Sequence, residues 1–215
     1  MNLEKIIKEA LPALQKTGTW IQNEAQSFDL NKVVLKGKND LVSYVDKEAE
    51  KKLVVDLKSI LPEAGFITEE DTADDDQKEF TWIVDPLDGT TNFIHGLPVY
   101  SISVGLSQDK DIVGGIVYEL NKKELFYAWK GGGAFLNDNP IHVAPTQDLS
   151  NSLLATGFPY YQFDKLDNYL AIIKDLMMHS HGLRRLGSAA VDLAYVACGR
   201  YEGFFEYNLN AWDIA

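Results

Sequence analysis

Between Val99 and Trp129 the chain runs through three β-prone stretches, Val99–Ser107, Ile112–Glu119 and Glu124–Trp129, separated only by short polar turns at Asp109-Lys110-Asp111 and Asn121-Lys122. Connections this short join antiparallel neighbours, since a parallel pair needs a crossover of a dozen or more residues. Gly131-Gly132-Gly133 reads as the close of this meander. This argues against a purely parallel, doubly wound sheet.

On either side the pattern is helical or mixed. Leu3, Ile6, Ile7, Ala10 and Leu14 stand at helical spacing within 3–25, with Pro12 inside, where a kink is expected. The polar stretch Lys36-Gly37-Lys38-Asn39-Asp40 reads as a loop. Ser43 followed by Asp46 reads as a capping box opening a helix to about Ile60, ahead of Pro62. Gly65–Thr68 and Phe80–Val84 are strands, the second apolar on both faces and so buried. After residue 150, Leu153–Thr156, Leu183–Leu186 and Phe204–Tyr207 read as strands. Phe163, Leu166, Leu170, Ile173 and Met177 mark one helix face, and a helix after Gly187-Ser188 stops at Gly199. The fold class is α/β, with α and β elements layered, in one domain 1–215 of two lobes, about 1–145 and 146–215.

The chain has 215 residues, 46% of them hydrophobic, and a formal net charge of −12. Such acidity disfavours nucleic acid and anionic membranes as partners. A phosphorylated substrate would need a bound cation to reverse the local sign. A single cysteine, Cys198, fits a reducing compartment and sits in an apolar run, as a buried thiol rather than a nucleophile. The amphipathic N-terminus does not read as a signal peptide, and no run approaches the ~18 apolar residues of a membrane span. A soluble, cytoplasmic protein is expected.

Chemistry concentrates in Trp82-Ile83-Val84-Asp85-Pro86-Leu87-Asp88-Gly89-Thr90-Thr91-Asn92-Phe93. Asp85 ends a buried strand, Pro86-Leu87 begins a turn, and Asp88-Gly89-Thr90-Thr91 reads as a helix start whose free N–H groups suit an anion. Carboxylates beside an anion site ask for a hard divalent cation between them, magnesium by default. A plain turn with Asp88 as helix cap accounts equally for the spacing alone. The alternating ligands of a calcium loop are absent. The haloacid-dehalogenase phosphatase motif needs its carboxylates two apart, not three.

The whole stretch resembles the first signature of the inositol monophosphatase family. Asp40-Leu41-Val42-Ser43-Tyr44-Val45-Asp46, Gly65-Phe66-Ile67-Thr68-Glu69-Glu70, Arg185-Leu186-Gly187-Ser188-Ala189-Ala190, Phe205-Glu206 and Ala211-Trp212-Asp213-Ile214-Ala215 resemble further family segments, in order. The resemblance implies an inositol monophosphatase/fructose-1,6-bisphosphatase-like sugar phosphatase fold. It implies two to three Mg2+ ions, inhibition by Li+, a homodimer and hydrolysis of a myo-inositol monophosphate. Fructose-1,6-bisphosphatase, histidinol phosphatase and 3′(2′),5′-bisphosphate nucleotidase activities are the alternatives, and a metal-binding regulator or partner protein is the alternative of another class.

Carried over residue by residue, Glu69, Asp85 and the Leu87 carbonyl would hold one metal, and Asp85, Asp88 and Asp213 a second. Thr90 and Glu69 would orient and deprotonate the attacking water, with Asp46 bonded to Thr90. The Gly89 and Thr90 N–H groups would bind phosphate, and Asp88, Gly187, Ser188, Ala189, Glu206 and Asp213 would face the substrate. Asp46 and Asp213 also read as cap residues, Glu206 as an edge charge, and Lys36 and Lys38 as turn decoration or phosphate attractors. Glu70, Asp71 and Asp74–Asp76 read as solvated. Family members continue beyond Asp213 with a helix, a strand and a final helical segment, so the chain reads as shortened at its C-terminal end. So short a helix start is not expected to hold Asp213 in place.

Overall fold

The computed structural model describes residues 1–28, 33–37, 40–73, 78–158 and 163–215, with only the backbone of 33–37 and 40–42. Helix α1 (Leu3–Ala25) is capped by Asn2, whose side chain accepts the Lys5 N–H at 3.1 Å. It runs on through Pro12 and buries Ile6, Ile7, Ala10 and Leu14, the stripe the spacing predicts. Strands β1 (Val33–Gly37) and β2 (Asp40–Ser43) form an antiparallel hairpin, so the expected loop at 36–40 instead supplies strand ends. Lys38, the Lys36 side chain and Asp74–Asp76 lie outside the described residues. Helix α2 (Tyr44–Ile60) opens with the predicted Ser43/Asp46 capping box.

Next come β3 (Gly65–Thr68), β4 (Phe80–Asp88), α3 (Thr90–Ile94), β5 (Ser101–Gln108), β6 (Asp111–Glu119), β7 (Glu124–Trp129), β8 (Gly133–Leu136) and β9 (Asn139–Pro140). The strands form one seven-stranded sheet in chain order, parallel between β3 and β4 and antiparallel elsewhere. The meander continues for two strands past the glycines expected to close it. The remaining elements are β10 (Leu153–Thr156), α4 (Leu166–His179), β11 (Gly182–Arg184), α5 (Ala189–Ala197), β12 (Gly203–Phe205) and α6 (Ala211–Ile214), with a parallel sheet ordered β11-β10-β12.

The two faces of β5 explain the layering. Ile102, Val104 and Leu106 are fully buried and join the cluster that includes Ile7 and Leu14 of α1 and Leu53 and Leu57 of α2. The alternate residues are small or polar. Ser101 Oγ lies 3.2 Å from Ser188 Oγ, and a Cβ on Gly105 would stand 2.7 Å from the Ala215 Cβ. Helices thus cover one face with hydrocarbon, while the other admits close backbone approach from α5 and α6. A smaller cluster, including Phe126, Ala155, Val191 and Tyr195, binds α5 to the sheets.

Helix α4 meets the expectation in part, since Leu166 and Ile173 face inward. It fully buries Tyr169, while Leu170 is 50% and Met177 66% exposed, and Phe163 just ahead of it is 44% exposed. The inward face is Leu166, Tyr169, Ile173 and Leu176. The polar residues Asp167, Asn168, Lys174 and Asp175 cluster on the opposite side, so the helix is amphipathic and its buried stripe lies one position away from the Leu170 and Met177 edge. Cys198 is half-buried rather than buried, its Sγ 3.5 Å from the Tyr195 carbonyl. Among the described residues no helix is long and apolar enough to cross a membrane.

Candidate active site

Strand β4 does not stop at Asp85. Asp85 pairs with Ser103 and Asp88 with Ser101, so three steps on β4 match two on β5. This is a bulge with one extra residue, and the expected Pro86-Leu87 turn is that bulge. Pro86, with no N–H to donate, suits the interrupted ladder. In a regular strand, residues three apart face opposite sides. The extra residue rotates Asp88 back to the side of Asp85. Leu87 is buried in the main core, and its carbonyl accepts from Thr90 Oγ1 at 3.0 Å.

Thr90 opens α3, and its hydroxyl also lies 2.8 Å from Asp46 Oδ1. Asp46 is buried, and its other oxygen accepts the Ser43 N–H at 2.8 Å and the Ser43 hydroxyl at 2.6 Å. It is therefore capping-box residue and Thr90 partner at once. Burial pushes the Asp46 carboxyl up, and the Ser43 and Thr90 hydrogen bonds oppose this. The single Thr90 hydroxyl hydrogen is committed to Asp46 or to Leu87, so toward solvent its oxygen can only accept.

Glu69 follows β3, and its N–H reaches the Val84 carbonyl at 3.2 Å, extending the pairing to the edge of Asp85. Asp88 Oδ2 accepts the Ser188 hydroxyl at 2.6 Å and the Ala190 N–H at 2.8 Å, which seats it on the N-terminus of α5. Asp213 lies on α6, where its Oδ2 accepts the Asn210 N–H in a capping box. Its position, expected to be unsupported, is held by that box and by the Ala215 contact at Gly105.

Glu69, Asp85, Leu87, Asp88, Gly89, Thr90, Gly187, Ala189, Glu206 and Asp213 all line one cavity of about 290 Å³. Asp46 and Ser188 stand behind it, each fully buried and bonded to a lining residue. Ser188 therefore meets Asp88 rather than the cavity. Arg185, Asp192 and Gly157 also line it, and no local motif had singled them out for a role. Gly157 is required by close approach: a Cβ there would stand 1.9 Å from the Glu206 carboxylate.

Charge defines this cavity. Among the described residues its lining carries six carboxylates (Glu69, Asp85, Asp88, Asp192, Glu206 and Asp213) and one guanidinium, Arg185. Burial, then Glu69 and Asp88, pushes Asp85 well above the carboxylate range. Burial pushes Asp88 up to about 6 against the Ser188 and Ala190 hydrogen bonds. Burial and Asp88 push Asp192 to about 8 and Glu206 to about 7, both opposed by Arg185. Burial also raises Asp213.

Among the described residues no three Asp, Glu, His or Cys side chains converge as a ready ion site. The donor set nevertheless fits a hard divalent cation: all oxygen, mostly anionic, with a backbone carbonyl. Such mutual repulsion in a buried cluster is what a cation would relieve. Asp85, Asp88 and Asp213 each have one oxygen engaged by a backbone N–H, and Asp85 also shares a side-chain hydrogen bond with Glu69, a contact that a shared cation would replace.

The family model described as the inositol monophosphatase family matches residues 2–215. The chain belongs to the inositol monophosphatase family. It is similar to the inositol-1-monophosphatase of Mesorhizobium japonicum, 39% identical over all of this chain and 81% of that protein. The Nus factor SuhB of Vibrio cholerae is 38% identical over 99% of this chain and 80% of its own length. Among solved structures, the extragenic suppressor protein suhB of Bartonella henselae superposes with a TM-score of 0.92 at 38% identity, over 98% of this chain and 81% of that one. The inositol monophosphatase of Anabaena gives 0.87 at 34% identity, over 100% and 79%. Family membership and fold together make this a phosphatase scaffold for small phosphate esters.

Proposed function

We propose that the protein is a magnesium-dependent phosphomonoester hydrolase whose preferred substrate is a myo-inositol monophosphate. The observation that carries this is the β4 bulge, which turns Asp85 and Asp88 to one face beside Glu69 and Asp213. Glu69, Asp85, Asp88, Asp213 and the Leu87 carbonyl would hold the magnesium. Bound there, it supplies positive charge for the phosphate and lowers the pKa of water.

The chain's own residues do the rest. Thr90, its hydrogen committed to Asp46 or Leu87, accepts a hydrogen bond from water and fixes its direction. Glu69 takes the proton that water releases as its oxygen bonds to phosphorus; the ester P–O bond breaks, and the departing oxygen takes a proton from solvent to leave as the alcohol. The start of α3 at Gly89 and Thr90 presents N–H groups without acceptors inside the helix, suited to phosphate oxygens. Glu206, the Asp88 edge and the backbone at Gly187 and Ala189 meet the hydroxyls of the alcohol. Arg185 keeps Glu206 from rising further, so that it can accept from a hydroxyl near neutral pH. No covalent intermediate on the chain is needed.

Phosphate release should be measured with inositol 1-phosphate, fructose 1,6-bisphosphate, histidinol phosphate and 3′-phosphoadenosine 5′-phosphate, each with magnesium, with EDTA and with lithium. Inositol 1-phosphate is expected to be turned over fastest, lithium to inhibit, and EDTA to abolish the reaction. Activity surviving EDTA overturns the proposal. The relatives named Nus factor SuhB support a second reading, a partner role of the kind that name denotes. Magnesium binding without turnover of any of these esters would favour it.

A further inference from the structure

Helix α2 buries two carboxylates one turn apart, Asp46 and Glu50, 1% and 0% exposed. The first holds Thr90. The second holds a turn. Glu50 Oε2 accepts the Glu70 N–H at 2.8 Å, and its Oε1 accepts the Thr72 N–H at 2.8 Å and the Thr72 hydroxyl at 2.7 Å. A buried carboxylate needs such donors to offset its lost hydration.

The residue between those two amides, Asp71, has φ 53°, a left-handed turn conformation that aspartate accommodates better than most residues. Glu50 grips the chain on both sides of that residue. Glu69 comes immediately before the turn and is tied on its other side to Val84. Its backbone is thus clamped between β4 and α2.

We propose that Glu50 is a positioning residue: through the Glu70 and Thr72 amides it fixes the turn that aims the Glu69 carboxylate at Asp85, as Asp46 fixes Thr90. Residues at 46 and 50 share one helix face, so α2 is a common rest for the water-orienting hydroxyl and the proton-accepting carboxylate. The inference rests on the hydrolase reading above, in which Glu69 is both metal ligand and base.

Three measurements on the whole protein test it: amide hydrogen exchange at Glu70 and Thr72, magnesium binding by calorimetry, and kcat and KM for inositol 1-phosphate at saturating magnesium. Glu50→Gln keeps the volume but turns an NH2 toward one set of donors. It is expected to speed exchange at both amides, raise the magnesium Kd about tenfold and lower kcat with KM within about twofold. Thr72→Val, a milder variant that removes one donor, is expected to move the same quantities less. Leu57→Ala, in the α2 core, is the comparison: it lowers thermal stability without moving the magnesium Kd. Unchanged magnesium binding in both Glu50→Gln and Thr72→Val overturns the inference alone, as does an equal loss in Leu57→Ala. A wild-type protein that takes up no magnesium overturns the hydrolase reading first, and this inference with it.

Discussion

Ser188 Oγ lies 2.6 Å from Asp88 Oδ2, across 100 residues of sequence. One belongs to the large sheet and the other caps α5, so a single carboxylate fastens the helix to the sheet. The positive end of α5 favours the ionised carboxylate, while burial works the other way and leaves Asp88 at about 6.

Ser188→Ala removes a hydrogen bond that pulls Asp88 down. The Asp88 carboxyl then rises, and a larger fraction is protonated at a given pH. The acid limb of the pH–rate profile for phosphate release is expected to move to higher pH, with a larger loss at pH 6 than at pH 8. Loss of a hydrogen bond to a charged group also costs about 1.5–3 kcal/mol of stability, read from a denaturant titration. An acid limb that stays put refutes the assignment.

Gly157→Ala places a methyl where the Glu206 carboxylate lies. Glu206 must swing away, and the alcohol loses a hydrogen-bond partner. KM for inositol 1-phosphate is expected to rise about tenfold, the equivalent of one hydrogen bond of about 1.4 kcal/mol, with kcat less affected. Steady-state kinetics decide this, and an unchanged KM places Glu206 outside substrate recognition.

Asp192 is 1% exposed, and among the described residues its buried Oδ1 has no hydrogen-bond partner. Its folded pKa of about 8 lies above the ordinary 3.8. The folded state therefore holds this proton more tightly, and the contribution to stability present below about pH 4 is lost as pH rises toward 8. Asn cannot ionise. Asp192→Asn is expected to raise Tm by roughly 10 °C at pH 8 and to match the wild type near pH 4. An equal Tm at pH 8 contradicts the raised pKa.

Cation binding follows the same linkage. Burial raises Asp85, Asp88 and Asp213, and neighbouring carboxylates raise the first two further, so their ionised forms are scarce in acid. Magnesium at 100 times its Kd adds about 2.7 kcal/mol. It is expected to lift Tm clearly at pH 8 and hardly at pH 5. A scanning-calorimetry shift of equal size at both pH values would place the ion elsewhere.

Much of the architecture was legible because it depends on local rules. Short turns at 109–111 and 121–122 imposed antiparallel pairing. Ser43 and Asp46 announced the start of α2 by a hydrogen bond that spans three residues. The α4 face was legible in part: Leu166 and Ile173 do turn inward, while Tyr169 and Leu176 rather than Leu170 and Met177 complete the stripe.

The site divides the same way. Sequence by itself determined which residues bring carboxylates and hydroxyls, through one acidic stretch and the family segments around it. It could not determine that Asp85 and Asp88 share a face, because spacing three predicts the reverse until the pairing with Ser103 and Ser101 inserts the extra residue. Nor could it reveal that Gly157 leaves room for Glu206, or that Gly105 seats Ala215 and so steadies Asp213. Local hydrogen bonds are written in neighbouring residues, whereas the side of a strand that becomes the site depends on which partner strand it meets.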